Sequence, residues 1–372
     1  MTLPERWSEH LQELREQGRY RELSPSRGID FASNDYLGYG PRERWGSKAP
    51  IGARSGAASR LIAAHPIWDQ VESRLAAWHE AEAALIFPSG YVANEGLLST
   101  VIERQDWVAS DELNHASIID GLRLSRAERF IFRHQDLNHL EDGLRAAAGN
   151  SAANRQRFIV TESLFGMDGD RTPLAEILQL AERYNAHLIG DEAHATGCFG
   201  PAGCGRVAPA WRNRILATVH TGGKALAVPG AYVCGSRPLR DLLINRCRHF
   251  IYTTALAPAL GEWWLGVLDR APGDEASRTA LHGNAAFFRS ELNRHGLQAG
   301  GCDYIVPIVL GDDFRTMRAA DLLRGKGLDI RGIRPPSVPI GAARLRVSIH
   351  ADHDESHLRF AAAEIAAACS VA

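Results

Sequence analysis

Lys224 lies in the stretch HTGGKALAVPG, His220 to Gly230, between a glycine pair and an apolar run. The chain has 42 basic side chains, and Lys48, Lys224 and Lys326 are the only lysines among them, so arginine serves almost everywhere else. An amine can lose its proton and attack a carbonyl, whereas a guanidinium stays charged. Burial among apolar residues favours the neutral amine. Lys224 is therefore read as a nucleophile, and Lys48 and Lys326, in Gly/Ser/Pro contexts, as surface residues.

Other groups of the same kind follow apolar runs along the chain. Pro88-Ser89-Gly90-Tyr91 is a turn entering a helix, where free N–H groups and the positive dipole end suit a phosphate. Asn114 and His115 follow a second run and Glu162 a third. Asp191-Glu-Ala-His194 follows a fourth, and Thr221 leads directly to Lys224. A phosphate cradle, a carboxylate, two histidines and a lysine fit pyridoxal phosphate. The lysine would hold its aldehyde as a Schiff base, the carboxylate would keep its ring nitrogen protonated, and a histidine could stack on the ring. DEAH at 191–194 also matches a helicase motif, but that motif needs GxxxxGK[ST], and Lys224 is followed by alanine. No GxGxxG follows a strand and no GxSxG is present, which leaves dinucleotide binding and hydrolase chemistry without a motif.

The elements that must position these groups alternate. Helical spacing predicts helices from Pro4 to about Gly18, with Trp7, Leu11 and Leu14 on one face, and from His65, with Ile67, Val71, Leu75 and Trp78 on one face. Apolar runs at 83–87, 106–109, 129–132, 158–161, 187–192, 216–220 and 231–235, several separated by helical stretches, predict a mostly parallel sheet covered on both faces. Ligands of such sheets bind at the carboxyl ends of the strands. Beyond about residue 260, strands at 304–310 and 344–350 and a helix near 314–325 predict a smaller α/β domain. In its last strand Leu345 and Val347 face one way, and Arg344 and Arg346 are presented on the other. The expected division is an N-terminal segment 1–45, a large domain 46–260 and a small domain 261–372.

A net charge of −2 and a pI near 6.7 give no electrostatic reason to expect nucleic acid or a membrane surface as partner. No apolar stretch has the length of a signal peptide core or a membrane span, so the expectation is a cytoplasmic protein. Six cysteines without a CxxC pair read as reduced, mostly buried thiols. His350, His353 and His357 read as solvated surface, and no metal is expected.

The motifs FASNDYLG (31–38), RSGAASRLIAAHPIWDQVE (54–72), FPSGYVAN (87–94), LNHAS (113–117), TESLFGMDGD (161–170), DEAHATGCFGPAGCG (191–205), HTGGKAL (220–226), FIYTTALAP (250–258) and IRPPSVPIGAARLRVSIHADH (333–353) occur in one order. In this the chain resembles the α-oxoamine synthases, pyridoxal-phosphate enzymes of fold type I that join an amino acid to an acyl-CoA with loss of CO₂. The resemblance implies a large, mostly parallel α/β domain, a smaller C-terminal α/β domain, and a homodimer with shared active sites. IRPPSVP and FIYTTALAP are most similar to the biotin-pathway member, which condenses L-alanine with a pimeloyl thioester of CoA or acyl carrier protein. Glycine-using and serine-using relatives are the alternatives, followed by a non-catalytic partner subunit.

Carried over by motif, the resemblance makes Lys224 the Schiff-base lysine and base, with Asp191 on the pyridinium, His194 on the ring hydroxyl and His115 on the ring face. Ser89, Gly90, Tyr91 and Thr221 would lie around the phosphate, with Thr253 and Thr254 reaching it from the neighbouring subunit. Glu162 would belong to the cofactor site, and Asn34, Arg334 and Arg346 would meet the substrate carboxylate, where a planar fork fits two oxygens. Three places depart from the family pattern: Ala57-Ala58, Gly166 and the Ala-Leu-Ala-Val-Pro run after Lys224.

Overall fold

The computed structural model describes residues 12–18, 28–39, 58–62, 64–149 and 155–372. Strands β1 (Ile29–Asp30), β2 (Ala83–Phe87), β3 (Trp107–Asp111), β4 (Glu128–Phe132), β5 (Arg157–Glu162) and β6 (His187–Asp191) come first in chain order. They are followed by β7 (Ala217–Thr221), β8 (Ala231–Gly235), β9 (Ile305–Gly311), β10 (Leu328–Asp329), β11 (Arg331–Ile333) and β12 (Ala343–Ser348). The chain divides into a larger unit, Leu37–Phe165 with Arg171–Arg278, and a smaller one, Gly166–Asp170 and Thr279–Ala372 together with the residues up to Tyr36.

The larger unit is built on a seven-stranded sheet of order β2-β8-β7-β6-β5-β3-β4. All neighbours pair in parallel except β8, which runs antiparallel to both β2 and β7. Successive residues face opposite sides, as the pleat requires. Val108, Phe158, Val160 and Ile189 enter one core with Leu97, Leu122 and Leu243. Trp107, Ala109, Ile159 and Leu188 enter another with Leu140, Leu144 and Ile177. A sheet buried on both faces is what the near-continuous apolar runs predict, and each expected strand of the larger unit lies within two residues of its observed position.

Register sets the functional edge. Phe87 lies opposite Ala231 and Ala231 opposite Thr221, Val219 opposite Asp191, and Asp191 opposite Glu162. The carboxyl ends of β2, β7, β6 and β5 therefore share one edge. The helices begin where caps are available: His65 caps Pro66–Trp78, Ser89 caps Gly90–Val101 and His115 caps Ala116–Ser125, each side chain accepting a backbone N–H.

In the smaller unit β11, β12 and β9 form an antiparallel sheet and β1 pairs in parallel with β10. The division expected at 45/46 and 260/261 is corrected by these contacts. Residues 28–36 join the C-terminal unit through Ile29 opposite Leu328, and the helix Ala259–Arg270 stays with the larger unit. Strand β12 is buried on both faces, so Arg344 and Arg346 are not presented to solvent. Arg344 pairs with Asp168, and Arg346 donates to Gly166 O, Ser348 Oγ, Asn34 Oδ1 and Tyr36 Oη. Those acceptors are what make burial of the guanidinium tolerable.

Two further readings change. His350 and His353 are packed rather than solvated, their rings 4.8 Å apart, with Nε2 directed at Ser33 O and Asp30 O. Burial holds His353 down at about 4. Residues 12–16 are helical and Gly18 ends that stretch at φ 65°. Trp7, Leu11, Lys48 and Ala57 lie outside the described residues. Among the cysteines, Cys302 is exposed, the other five are buried, and all six are thiols.

Candidate active site

Lys224 is carried on the connection between β7 and β8. Gly222 N–H donates to Gly230 O and Val228 N–H to Gly222 O, each at 2.9 Å, which closes the loop at its base. Glycine is required there, since a Cβ on residue 222 would lie 2.4 Å from Val228 O. Thr221 Oγ1 accepts from Gly223 N–H at 3.3 Å. Ala225, Leu226 and Val228 are buried beneath a half-buried Lys224. The apolar run after the lysine thus anchors the loop.

Asp191 ends β6 and is 6% exposed. Its Oδ1 accepts from Ala193 N–H at 2.7 Å and its Oδ2 from Asn94 Nδ2 at 2.7 Å. Both donors are neutral, which leaves the carboxylate room to accept a further, positively charged N–H donor. The same Asn94 nitrogen donates to Ser117 Oγ at 3.0 Å, and Ser117 Oγ lies 2.8 Å from His115 Nδ1. The Ser117 main-chain N–H also donates to Nδ1 at 3.2 Å, so Nδ1 cannot carry the proton and the serine proton points to it. Nδ1 is an acceptor, and the ring proton sits on Nε2. Burial, with the charge on Lys224, holds His115 below the usual histidine range, against the pull of Asp191. A neutral ring within electrostatic reach of both charged residues can stack on a cofactor without repelling a cation.

Glu162 closes the arrangement from β5, its carboxylate accepting the His115 main-chain N–H at 2.7 Å. Its position is that of a brace on His115. Ser89 occupies the start of the helix Gly90–Val101, where its hydroxyl takes the Val92 N–H and its carbonyl the Ala93 N–H. A Cβ on Gly90 would make only ordinary contact with Thr221, at 3.7 Å, so β2 and β7 deliver these two residues side by side. Tyr91 directs its hydroxyl to Asp120, and its ring meets His115 edge-on at 6.0 Å between centroids. What Tyr91 can offer an anion is its main chain. Thr253 and Thr254 line a small crevice with Phe87 and Pro88. His194 is buried three residues beyond Asp191.

The larger unit therefore brings together Lys224, Asp191, His115, Ser89, Gly90, Tyr91, Glu162 and Thr221, with His194 buried just beyond Asp191 and Thr253 and Thr254 beside Phe87 and Pro88. Asn34 and Arg346 meet in the smaller unit, at 2.9 Å. Arg334 belongs to that unit too, buried, with Nη1 2.8 Å from Met317 Sδ. Asn94 and Ser117 were not singled out from the sequence. The signal was present, because Asn94 is a poor helix former at a buried position inside a helix. One group of metal-ligand type, His79, His220 and Cys234, lies in the core among the described residues. Its imidazoles are bonded to hydroxyls: His79 to Tyr232, and His220 to Thr196 and Thr218.

The chain matches the family described as aminotransferase class I and II over residues 26–365. It is 40% identical over 377 aligned positions to an 8-amino-7-oxononanoate synthase of Chlorobaculum parvum, covering 95% of each protein. Against a protein of that name from Anaeromyxobacter sp. strain K the identity is 42%, covering 89% of this chain and 83% of the relative. Among solved structures, a serine palmitoyltransferase of S. paucimobilis has TM-score 0.89 at 26% identity, covering 100% of this chain and 99% of that one. An 8-amino-7-oxononanoate synthase of Francisella tularensis has TM-score 0.76 at 27% identity, covering 92% and 98%. This chain belongs to the aminotransferase class I and II family.

Proposed function

We propose that this chain is a pyridoxal-phosphate enzyme that condenses L-alanine with a pimeloyl thioester of CoA or acyl carrier protein. The products are 8-amino-7-oxononanoate, the free thiol and CO₂, a step of biotin biosynthesis. The observation that carries the reading is the Asp191 carboxylate, buried between two neutral donors beside His115 and Lys224, in a chain 40% identical to a synthase of that name. The donor set fits the cofactor: an anion for a ring nitrogen, a neutral imidazole for a ring face, and a helix start for a phosphate. When bound there, the cofactor supplies an electron sink for the charge that develops at the alanine α-carbon.

Lys224 would hold the cofactor and, with its amine free, would take the α-proton of the amino acid on Nζ. Asp191 would pair with the ring nitrogen, and His115 and His194 would hold the ring. The main-chain N–H groups at Ser89, Gly90 and Tyr91 and the Thr221 hydroxyl surround the phosphate. In a homodimer, Thr253 and Thr254 of the neighbouring copy complete that surround. Asn34, Arg334 and Arg346 orient the substrate carboxylate, and Glu162 braces His115. No helix among the described residues is long and apolar enough to cross a membrane, and we place the enzyme in the cytoplasm.

A second reading, with glycine or L-serine as the amino acid, draws support from the serine palmitoyltransferase fold at TM-score 0.89. The higher identity, 40% against 26%, favours L-alanine. The test is thiol and CO₂ release from pimeloyl-CoA with each amino acid. L-alanine should give the highest kcat/KM, and Lys224→Ala should abolish turnover while leaving the circular dichroism spectrum unchanged. An active Lys224→Ala protein, or turnover with glycine or serine alone, would overturn the reading.

A further inference from the structure

The ladder between β6 and β7 ends where Asp191 lies opposite Val219. One more main-chain bond follows, from Glu192 N–H to Val219 O at 2.7 Å. Beyond it the two chains part. From β6 the chain enters the turn that carries His194, and from β7 it runs through His220 and Thr221 to Lys224. Past the end of the ladder, a pair of side chains ties the two together.

Thr196 lies in the turn after His194. Its hydroxyl donates to Glu192 O at 2.8 Å, and the same carbonyl takes the Ala195 and Thr196 main-chain N–H groups, each at 2.9 Å. A threonine hydroxyl has one proton. With that proton given to a carbonyl, the 2.8 Å contact between Thr196 Oγ1 and His220 Nδ1 is a bond that the imidazole donates. Burial holds His220 well below the usual histidine range, and the charge on Arg212 adds to the effect. The ring is therefore neutral, its Nε2 is an acceptor, and Thr218 Oγ1 lies 2.8 Å from it on the same strand.

The ring is also held by its neighbours. Its centroid is 4.0 Å from that of His79 and 4.9 Å from that of Tyr232, which stacks on it at 12°. His79 and Tyr232 are in turn joined at 2.8 Å between Nε2 and Oη. Thr196 and His220 are each 1% exposed, so water cannot replace the bond between them. A buried donor that loses its acceptor stays unsatisfied.

We propose that Thr196 and His220 are positioning residues for the reaction proposed above, a clamp that holds the turn of Asp191 and His194 against the strand that delivers Thr221 and Lys224. The clamp rests on that reading and acts through those four residues.

The test compares Thr196→Val, Thr196→Ser and Thr218→Val with the wild-type protein. The readouts are the dissociation constant of pyridoxal phosphate by equilibrium dialysis, exchange of the α-proton of L-alanine in D₂O by the loaded protein, and Tm. Thr196→Val keeps the shape of the side chain but takes the acceptor from His220 Nδ1, and it should weaken cofactor binding and slow exchange by about tenfold or more each. Thr196→Ser returns the hydroxyl and should restore both. Thr218→Val removes a bond of the same kind from the other side of the same ring, so it should lower Tm while leaving both readouts close to wild type. The contrast can be read from the other partner as well: His220→Asn keeps an N–H donor near the Nδ1 position and should exceed His220→Gln in both readouts. Wild-type affinity and exchange in Thr196→Val, equal losses in Thr218→Val, or equal losses in the two His220 variants would overturn the clamp while leaving the proposed function intact. A wild-type protein that binds no pyridoxal phosphate would overturn both.

Discussion

Asn94 holds the two halves of the candidate site in register, and its replacement has a calculable cost. One amide nitrogen donates to Asp191 Oδ2 at 2.7 Å and to Ser117 Oγ at 3.0 Å. Asn94→Ala removes a hydrogen bond to a charged acceptor, worth about 1.5–3 kcal/mol, and a neutral one worth about 0.5–1.5 kcal/mol. If the bond to Asp191 is fully expressed in proton removal, the rate falls ~10- to ~150-fold. The assay is exchange of the α-proton of L-alanine with D₂O, followed by NMR, which isolates this step from thioester chemistry. Asn94→Asp supplies the decisive comparison. It is nearly isosteric but sets a like charge against Asp191 and takes away both donated bonds, so it should be slower still than Asn94→Ala. Wild-type exchange in Asn94→Asp would refute the reasoning, since shape alone would then suffice.

Three other outcomes follow from the geometry. His79 and His353 are held down at about 3 and about 4, chiefly by burial. The unfolded chain therefore binds more protons than the folded one below an unfolded value of about 6.5, and stability falls as pH drops from there towards 4. Each histidine contributes a slope of up to ~1.4 kcal/mol per pH unit, and urea titrations at pH 5 and 6 should show His353→Gln losing about that much of the wild-type slope. Gly205 has φ +107°, and a Cβ there would sit 1.9 Å from Glu192 Oε2. Gly205→Ala should cost at least ~2 kcal/mol, seen as a lower Tm. Arg346→Lys cannot reproduce a fork that serves Gly166 O, Ser348, Asn34 and Tyr36. It should raise KM for the amino acid and lower Tm together, and an unchanged KM would remove Arg346 from substrate binding.

The large sheet was legible because both of its faces are buried. Runs such as FIVT and AYVCG are apolar throughout and bounded by polar or turn residues, so β5 and β8 could be placed from composition alone. The strands that escaped notice, β1, β10 and β11, are two or three residues long and owe their form to partners far along the chain. The same long-range pairing, Ile29 with Leu328, assigned residues 28–36 to the C-terminal unit, which no local pattern announces. Period-two alternation in β12 correctly put Arg344 and Arg346 on one face, but alternation cannot say whether that face is covered. His350 and His353 were misread for a related reason, since their carbonyl partners Ser33 and Asp30 lie more than three hundred residues away. In the candidate site, the chemistry-bearing residues could be found from their types at strand ends. Asn94 and Ser117 act by linking those residues, and such links form only once β6 and two helices are side by side.

The central claim is that Lys224 and Asp191 serve a pyridoxal-phosphate reaction on L-alanine. It is tested most directly by the visible absorption spectrum of the purified protein, titrated separately with L-alanine, glycine and L-serine. A visible band that responds saturably, and at the lowest concentration to L-alanine, is the predicted result. A band that prefers glycine or serine would contradict the assigned substrate. No band even after addition of pyridoxal phosphate would contradict the chemistry itself and leave Lys224 a structural lysine.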